Sequence, residues 1–600
     1  WIAEQLAGVP LQPGRRAVVL VAAERQAHAI RRHLCAELAR PEYLAGVLLV
    51  RPVEFARELL LRAGTVRVPG WEDVRRLRIL HLFESAALSA QLRYFSADQL
   101  RSGQGYVDAF ARTIADLEAS SLDAALALEV AGRLSDHDRL AADRLHDVAV
   151  TWQAADAGAT NRATTAQVLA DATAAVQARP DLPRAFGPIF AMLAASPSTA
   201  LLRFLRTLPA GRAVFQDARP LRSETQRWRP LVGLPTSTPS AAPQEGTTER
   251  IPSAPQRELH LVQRFLFEPP ETLTDPHRPR STGADGSVDV EEYPSIEDEI
   301  EAAATWVTEQ IAAGIAAEQI ALIVPEIDPY APLLLDRLLR ATRNGDTPAL
   351  PVYVAGGLSL AASPAGMRLH ALLHAVARAL EAEATIRILP ALRRGEQDND
   401  DSRARLSPSR AAEIVYGAGI VGGSPGGTAG ASEWLSRLTR RRDTLRALLD
   451  DAEAQANPDE PEKRRHAVDR QESQRWLRDV EPILPAITAL QQFAEDVLAG
   501  APLDAVWRQL RAFCGRWLRL PPDPPNLLDR LDQFLQPVLS DPIAQHVTGP
   551  AAVRFLMDGL RRTRRPTARF GEPCVFIGTV SHAAGLSFAA VRVLGLAEGA

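Results

Sequence analysis

Three side chains near the end of the chain, Thr579, Ser581 and His582, have the residue types and spacing of a ligand-binding turn. They stand between two predicted strands, at 574–577 and 591–596, whose apolar runs are typical of strands buried in a parallel sheet. Hydroxyl and backbone N–H groups on such a turn can contact nucleic-acid phosphates without a lysine. An ordinary surface turn is the alternative interpretation, and no sequence partner makes His582 a metal ligand or a base.

Basic and amide side chains after other predicted strands form a second group of candidates. Arg25 and Gln26 follow a predicted strand at 17–21, and Arg51 follows one at 46–50. Ligands of α/β proteins usually bind at the carboxyl ends of strands, so these residues are candidates for contact with DNA phosphates. Solvated charges on a helix face are the alternative.

Arginine clusters form a third group, of which the run containing Arg561 and Arg564 is the strongest candidate. Each phosphate that a basic residue neutralises adds to the salt dependence of nucleic-acid binding. In a chain whose basic residues are nearly all arginine, such runs are also common on solvated faces and at helix ends.

The composition argues against several kinds of chemistry. Lys463 is the only lysine in the chain, and no glycine-rich loop precedes it. A phosphate-binding loop needs a lysine that reaches the β- and γ-phosphates, and the planar guanidinium of arginine does not simply replace it. We therefore expect no intact ATP loop and no complete Asp…Glu-x-Lys nuclease core, and we assign no catalytic residue and no metal ligand.

Charge and cysteine content limit the partners and the compartment. The net charge of -5 gives no overall basic field, so any nucleic-acid surface must be a local patch. Three cysteines without metal or disulfide spacing suit a reducing cytoplasm. No apolar run is long enough for a membrane span, so we expect no membrane partner. The chain opens at Trp1 without a methionine, and we interpret it as a fragment.

The order of predicted strands and helices indicates an α/β protein with two parallel-sheet domains, each interrupted by a helical insertion. The first sheet domain comprises residues 1–65 and 180–233, around an insertion at 66–179. A Pro/Ser-rich linker follows at 234–286. The second sheet domain comprises residues 287–361 and 571–600, around an insertion at 362–570. Its first strand is predicted at 288–293, before further strands at 319–324 and 351–354.

The segment after residue 578 resembles the T-x-H-x-x-K-G-L-E-F pattern of UvrD-like superfamily 1 helicases. The pattern stands here as Thr579, Ser581, Ala584, Gly585, Leu586, Ser587 and Phe588. Ala584 occupies the lysine position and Ser587 the glutamate position. After the strand at 319–324, Pro325 stands where active relatives have an arginine that reaches the nucleotide. The resemblance implies a helicase shape whose nucleotide chemistry is eroded.

Several local matches, in the same order along the chain, are similar to AddB-type subunits of helicase–nuclease complexes. They lie at 18–34, 51–60, 105–117, 195–215 and 299–330. The resemblance implies two RecA-like domains, each with a helical insertion, in a bacterial cytoplasmic protein of double-strand-break repair and recombination.

The same resemblance implies partners and cofactors. The partners would be DNA ends, single-stranded DNA and a UvrD-like, AddA-like motor subunit in a heterodimer. The phosphate loop for ATP and Mg²⁺ would precede Trp1. A PD-(D/E)XK exonuclease domain, with Mg²⁺ or an iron–sulfur cluster, would follow Ala600. This chain itself would then bind single-stranded DNA without hydrolysing ATP and would hold no cofactor.

Three alternatives remain open from the sequence. A RecC-like gamma subunit of exodeoxyribonuclease V has a similar degenerate helicase plan. An ATP-dependent helicase with its phosphate loop upstream of Trp1 would be an active enzyme. A structural scaffold would use the two sheet domains to hold protein partners and would have no affinity for single-stranded DNA.

Overall fold

A computed structural model describes most of the chain. The described residues are 16–32, 34–35, 46–102, 105–157, 162–193, 197–208, 212–215, 257–265, 284–341, 350–394, 406–420, 429–454, 460–522, 526–584 and 586–596. They form parallel sheets and many helices, which confirms the predicted α/β class.

The strands, in chain order, are β1 (Ala17–Val21), β2 (Val47–Val50), β3 (Ile189–Leu193), β4 (Arg212–Phe215), β5 (Ile320–Ile323), β6 (Val352–Val354), β7 (Leu358–Ser359), β8 (Arg564–Arg565), β9 (Val575–Gly578) and β10 (Ala590–Val593).

The helices, in chain order, are α1 (Glu24–Arg32), α2 (Pro52–Arg62), α3 (Trp71–Phe83), α4 (Ala86–Ser89), α5 (Ala97–Ser102), α6 (Tyr106–Ala119), α7 (Ala124–Leu134), α8 (Arg139–Asp156), α9 (Thr165–Ala178), α10 (Thr199–Thr207), α11 (Glu258–Phe265), α12 (Ile296–Ala312), α13 (Ile327–Ala341), α14 (Pro364–Ala377), α15 (Ala382–Ile386), α16 (Pro408–Gly417), α17 (Ala429–Ala454), α18 (Glu460–Val480), α19 (Leu484–Leu498), α20 (Leu503–Trp517), α21 (Leu527–Leu539), α22 (Gly549–Arg562) and α23 (Val580–Ala583).

The first sheet is parallel throughout and has the order β2-β1-β3-β4. All five residues of β1 are buried because helices cover both faces of the sheet. Val18 and Leu20 pack on one face, against α2, α9 and α10. Val19 and Val21 pack on the other face, with Ala27 of α1. The continuous apolar run of β1 thus follows from burial on two sides.

The second sheet is also parallel and has the order β10-β5-β9-β6. β5 and β9 lie at its centre and are fully buried. Ala321, Ile323 and Phe576 share one face, against which aromatic side chains such as Phe570 and Phe588 pack. α12 and α13 pack against each other and contact the strands. The central strands carry the sheet, and its outer strands are β10 and β6.

The described residues cluster into two compact units. Unit 1 consists of Trp1–Trp71, Ala109–Gly356 and Thr567–Ala600, and contains both four-stranded sheets. Unit 2 consists of Glu72–Asp108 and Gly357–Pro566, and is helical apart from the short antiparallel pair β7–β8. The helical stretch predicted at 66–179 is therefore divided between the units.

The structure corrects the predicted strand at 288–293, which pairs with no strand in the described part of the chain. Its alternation of valine and acidic residues has the period of a strand, but Val290 is 86% exposed. The guanidinium of Arg592 instead holds the side chains of Glu291 and Tyr293. The hydroxyl of Tyr293 also donates to Glu291, and this bond, followed by the bond from Arg592, lowers the pKa of Glu291. Side-chain hydrogen bonds to Arg592 thus hold this segment in place of the expected backbone hydrogen bonds to a neighbouring strand.

Two further differences concern burial and the linker. The strand predicted at 591–596 is not buried on both faces, since β10 lies at the sheet edge, with Val591 and Val593 50% and 44% exposed. The predicted linker at 234–286 falls largely outside the described residues, and its described part includes α11. The side chains of Asp285 and Ser287 accept hydrogen bonds from the first N–H groups of that helix.

A polar cluster in unit 1 forms around the carboxylate of Asp156. This carboxylate accepts hydrogen bonds from the indoles of Trp71 and Trp152, each at 3.0 Å, and lies 3.4 Å from the amide of Gln167. Gln167 also donates to Glu118 at 3.0 Å. Both indole rings are buried, so the bonds to Asp156 satisfy donors that water cannot easily reach.

We expect Asp156→Ala to lower the free energy of unfolding by about 2–4 kcal/mol, because two buried indoles lose an acceptor. Asp143→Ala, on the same helix, is the matched control. Its carboxylate pairs only at 3.8 Å with the highly exposed Arg139, so its loss should stay within about 0.5 kcal/mol. Urea denaturation followed by circular dichroism measures both, and equal losses would contradict a special role for Asp156.

Candidate nucleic-acid interface

The turn after β9 is built around Thr579, which caps the short helix α23. Its Oγ1 accepts the backbone N–H of His582 at 3.4 Å, and Nδ1 of His582 accepts the backbone N–H of Thr579 at 3.4 Å. The same Nδ1 lies 3.0 Å from Oγ1 of Thr579. Because Nδ1 acts as an acceptor, the neutral imidazole carries its proton on Nε2.

His582 also lies beside the exit of the neighbouring strand β6. A Cβ placed on Gly356 would be 3.6 Å from Nε2 of His582, and Gly356 and Gly357 both have left-handed backbones, with φ 81° and 75°. The imidazole thus sits between the ends of β9 and β6. Ser581 and Val580 remain on the exposed side of the turn. Thr579, Ser581 and His582 therefore lie together on one turn, with Ser581 exposed to solvent and His582 half-buried.

The remaining positions of the helicase-like pattern divide into apolar and polar sets. Leu586 and Phe588 join the aromatic cluster on the second sheet, and the ring of Phe588 lies 5.1 Å from that of Phe576. Ala584 and Ser587 are exposed, and Gly585 lies outside the described residues. The apolar members of the pattern therefore serve as scaffold, while its two altered positions face solvent.

Pro325 closes the exit of β5 together with three other residues. A Cβ on Gly595 would lie 2.8 and 2.9 Å from carbons of Pro325 and 2.6 Å from the hydroxyl of Tyr330. The backbone N–H of Gly595 donates to Glu299 at 2.8 Å. Burial raises the pKa of Tyr330, and the Glu299 carboxylate raises it further, so the phenol keeps its proton. This exit is tightly filled.

The exit of β1 carries Arg25 and Gln26. Gln26 is buried, and its side-chain oxygen accepts the backbone N–H of Ala22 at 2.8 Å, which holds the strand-to-helix turn. Nε of Arg25 is buried and has no hydrogen-bond partner within the described residues. Arg25 as a whole is partly exposed at this end of the sheet, whereas the side-chain oxygen of Gln26 is engaged by its own turn.

Arg51 begins α2 at the exit of β2, and its guanidinium is paired with Glu54. The Nε–H of Arg51 donates to Oε1 of Glu54 at 2.9 Å. The bond to Glu54 raises the pKa of Arg51, and the bond from Arg51 lowers the pKa of Glu54. A DNA phosphate would have to compete with this carboxylate for the guanidinium.

Arg561 and Arg564 belong to unit 2. Arg561 lies in the last turn of α22 and is exposed, with Nη2 lying 3.4 Å from Nε2 of His370. Arg564 is exposed in β8, whose partner strand supplies Ser359. The candidate residues thus fall into two sets: one at the carboxyl edges of the sheets of unit 1, and one on unit 2.

Gly356, Gly357, Gly595 and the histidines of α14 are not among the residues predicted from the sequence. The glycine roles depend on contacts across the sheet, so no local pattern signals them. His370 and His374, however, stand four residues apart on a predicted helix, and that spacing could have identified them.

Three further features bear on the kind of site: grouped metal ligands, membrane-spanning helices and similarity to known proteins. Across the described ranges, no three His, Cys, Asp or Glu side chains are grouped as metal ligands would be. No described helix combines the length and apolar character needed to cross a membrane. The chain matches no model of a known protein family and no curated protein.

We expect Gly595→Ala to destabilise the protein by about 2–4 kcal/mol, through a left-handed φ of 70° and contact with Pro325 and Tyr330. Gly314→Ala is the matched control, because Gly314 has φ 90° and nothing within 4 Å of an added Cβ. Its cost should be about 1 kcal/mol, from the backbone alone. Thermal unfolding of both variants compares them, and equal losses would show that the β5 exit is not tightly filled.

Proposed function

We propose that this chain is the DNA-binding, helicase-like body of an AddB-type subunit of an ATP-dependent helicase–exonuclease complex. Its two parallel sheets would be two RecA-like domains, each with a helical insertion. It would contact DNA ends and single-stranded DNA in double-strand-break repair, while a UvrD-like partner subunit supplies the motor. Nuclease and ATP chemistry would belong to other segments or to the partner.

The observation that carries the proposal is the topology at the carboxyl ends of the two central strands of the second sheet, β5 and β9. These strands are neighbours, yet the chain leaves them towards opposite edges, from β5 to β6 and from β9 to β10. Such a switch point opens a crevice at the carboxyl ends of the strands, where α/β proteins bind their ligands. Thr579, Ser581 and His582 follow β9 at this switch point, and the Ser581 side chain is exposed.

The first sheet supports the proposal in the same way. From β1 the chain moves to β2 at one edge and returns to β3 on the other side of β1. Arg25, whose Nε–H has no partner among the described residues, follows β1 at this switch point. A phosphate would pair with the positive charge of this guanidinium.

The β5 exit favours a body that does not hydrolyse ATP. A proline has no side-chain donor for a nucleotide phosphate, and Pro325 is in tight contact with Gly595 beside the buried Tyr330. An arginine reaching through this exit would need space that these side chains occupy. The lack of a lysine other than Lys463 points in the same direction.

The test is fluorescence anisotropy with a labelled single strand and a tailed duplex across a salt series. We expect binding that weakens steeply with salt. Arg25→Gln should weaken it about 5- to 10-fold and make the slope of log K against log salt shallower by about 1. Ser581→Ala should weaken binding with less change in slope, because a neutral donor is lost.

Arg133→Gln is the control, since Arg133 is exposed on α7 and paired with Glu129. It should bind like the unaltered protein. Binding that is independent of salt, or absent at low salt from a folded sample, would reject the DNA-binding proposal and favour a scaffold. Hydrolysis of ATP stimulated by single-stranded DNA in this chain alone would reject the assignment of the motor to a partner.

A further inference from the structure

Two histidines of unit 2 lie one helical turn apart on α14. The rings of His370 and His374 are nearly parallel, with an interplanar angle of 13° and centroids 6.4 Å apart. Both side chains are half-buried, and Met367, one turn before His370, is exposed. Positions four apart face the same way, so the two imidazoles form one continuous strip on the helix surface.

Arginines surround this strip. Arg561 of α22 approaches His370, with its Nη2 3.4 Å from Nε2 of the imidazole. The positive charges of Arg378 and Arg387 repel a proton on His374. The carboxylate of Glu381 pairs with Arg378 at 2.7 Å. Arg561 and Arg387 have no carboxylate partner within the described residues, so the strip carries an excess of positive charge. We call the set His370, His374, Arg378, Arg387 and Arg561 the α14 ridge.

The end of α14 holds the ridge in a fixed shape. Ala379 and Leu380 both adopt left-handed backbones, with φ 51° and 58°, which are costly for residues with a Cβ. The carbonyl of Leu380 accepts the indole N–H of the buried Trp434 at 2.7 Å. This bond stabilises the sharp reversal that separates Arg378 from Glu381 and α15.

The charge of the ridge changes with pH. Burial lowers the pKa of His370, and Arg561 and His374 lower it further. Burial also lowers the pKa of His374, with contributions from Arg378 and Arg387, while Glu381 opposes them. Both imidazoles are therefore neutral at pH 7. As pH falls below 6.5, the ordinary pKa of histidine, each imidazole can take up a proton. The new positive charge is then repelled by the arginines of the same surface.

We propose that the α14 ridge binds the phosphate backbone of single-stranded DNA, and that its affinity rises as pH falls. A phosphate oxygen close to an imidazolium offsets the repulsion by Arg561 and Arg378, so binding and proton uptake favour each other. The surrounding guanidinium groups argue against the other common role of paired histidines, since they would repel a bound metal cation. The inference rests on the proposed DNA-binding function and adds a second, pH-sensitive contact to it.

The test compares single-strand affinity at pH 7.5 and pH 5.5 by fluorescence anisotropy, with EDTA present to exclude metal bridging. We expect the protein to bind about tenfold more tightly at pH 5.5, with a salt slope steeper by about 1 for each additional phosphate that the ridge neutralises. The double substitution H370Q/H374Q should remove most of this pH response. Arg561→Gln should weaken binding at both pH values.

His137→Gln is the control, because His137 is exposed in unit 1. It should keep the full pH response. Circular dichroism at both pH values verifies that each variant is folded.

Stability without DNA gives an independent measure of the two histidines. Their pKa values are lower in the folded state than in the unfolded state, so the unfolded chain binds more protons as pH falls below about 6.5. Acid should therefore destabilise the unaltered protein more than H370Q/H374Q.

The outcomes separate the two proposals. If the protein binds DNA and H370Q/H374Q keeps the same pH response, the α14 ridge inference is wrong and the DNA-binding function stands. If the protein binds no DNA at either pH, the function itself is rejected, and the ridge with it. A pH response lost in the double variant but kept in the control supports the ridge.

Discussion

Parallel pairing is the constraint on which the rest of this structure depends. A tight turn cannot join two parallel strands, so each strand of both sheets is reached by a crossover through helices. The crossovers bury both faces of the sheets, which is why β1 and β5 read as unbroken apolar runs. Within each sheet, they also place the carboxyl ends of all four strands on the same side. Residues far apart in sequence, such as Pro325 and Gly595, therefore meet there.

The edge of the second sheet is used in two opposite ways. At β5 and β10, a proline ring, a buried phenol and a glycine backbone fill the available space. At β9, a threonine-capped turn leaves Val580 and Ser581 exposed. Side-chain volume at one strand exit and a helix cap at the next thus separate a closed part of the edge from an accessible part. A DNA contact at the accessible part would not require the chemistry of nucleotide hydrolysis.

The sequence predicts those elements whose signal is local. Strands such as β1 and β9, with apolar runs buried on both faces, are identified within one or two residues. The segment at 288–293 misleads because its alternation is genuine but the side chains of Glu291 and Tyr293 are held by Arg592, 301 and 299 residues further along the chain. The exposure of β10 depends on strand order, which local periodicity does not encode. The candidate site follows the same rule: Thr579 and His582 can be found from the sequence, and the position of His582 beside Gly356 cannot.

The segments of the two compact units alternate along the sequence. Unit 2 takes one piece from Glu72–Asp108 and the other from Gly357–Pro566, and Arg78–Asp541 and Asp73–Arg562 ion pairs join the pieces. Unit 1 likewise needs β9, which follows all of unit 2. During synthesis on the ribosome, the early piece of unit 2 must wait for the late one, and β5 must wait for β9. A single cut in the chain therefore cannot release either unit whole, and a gene product that stops before Pro566 would leave both unfinished.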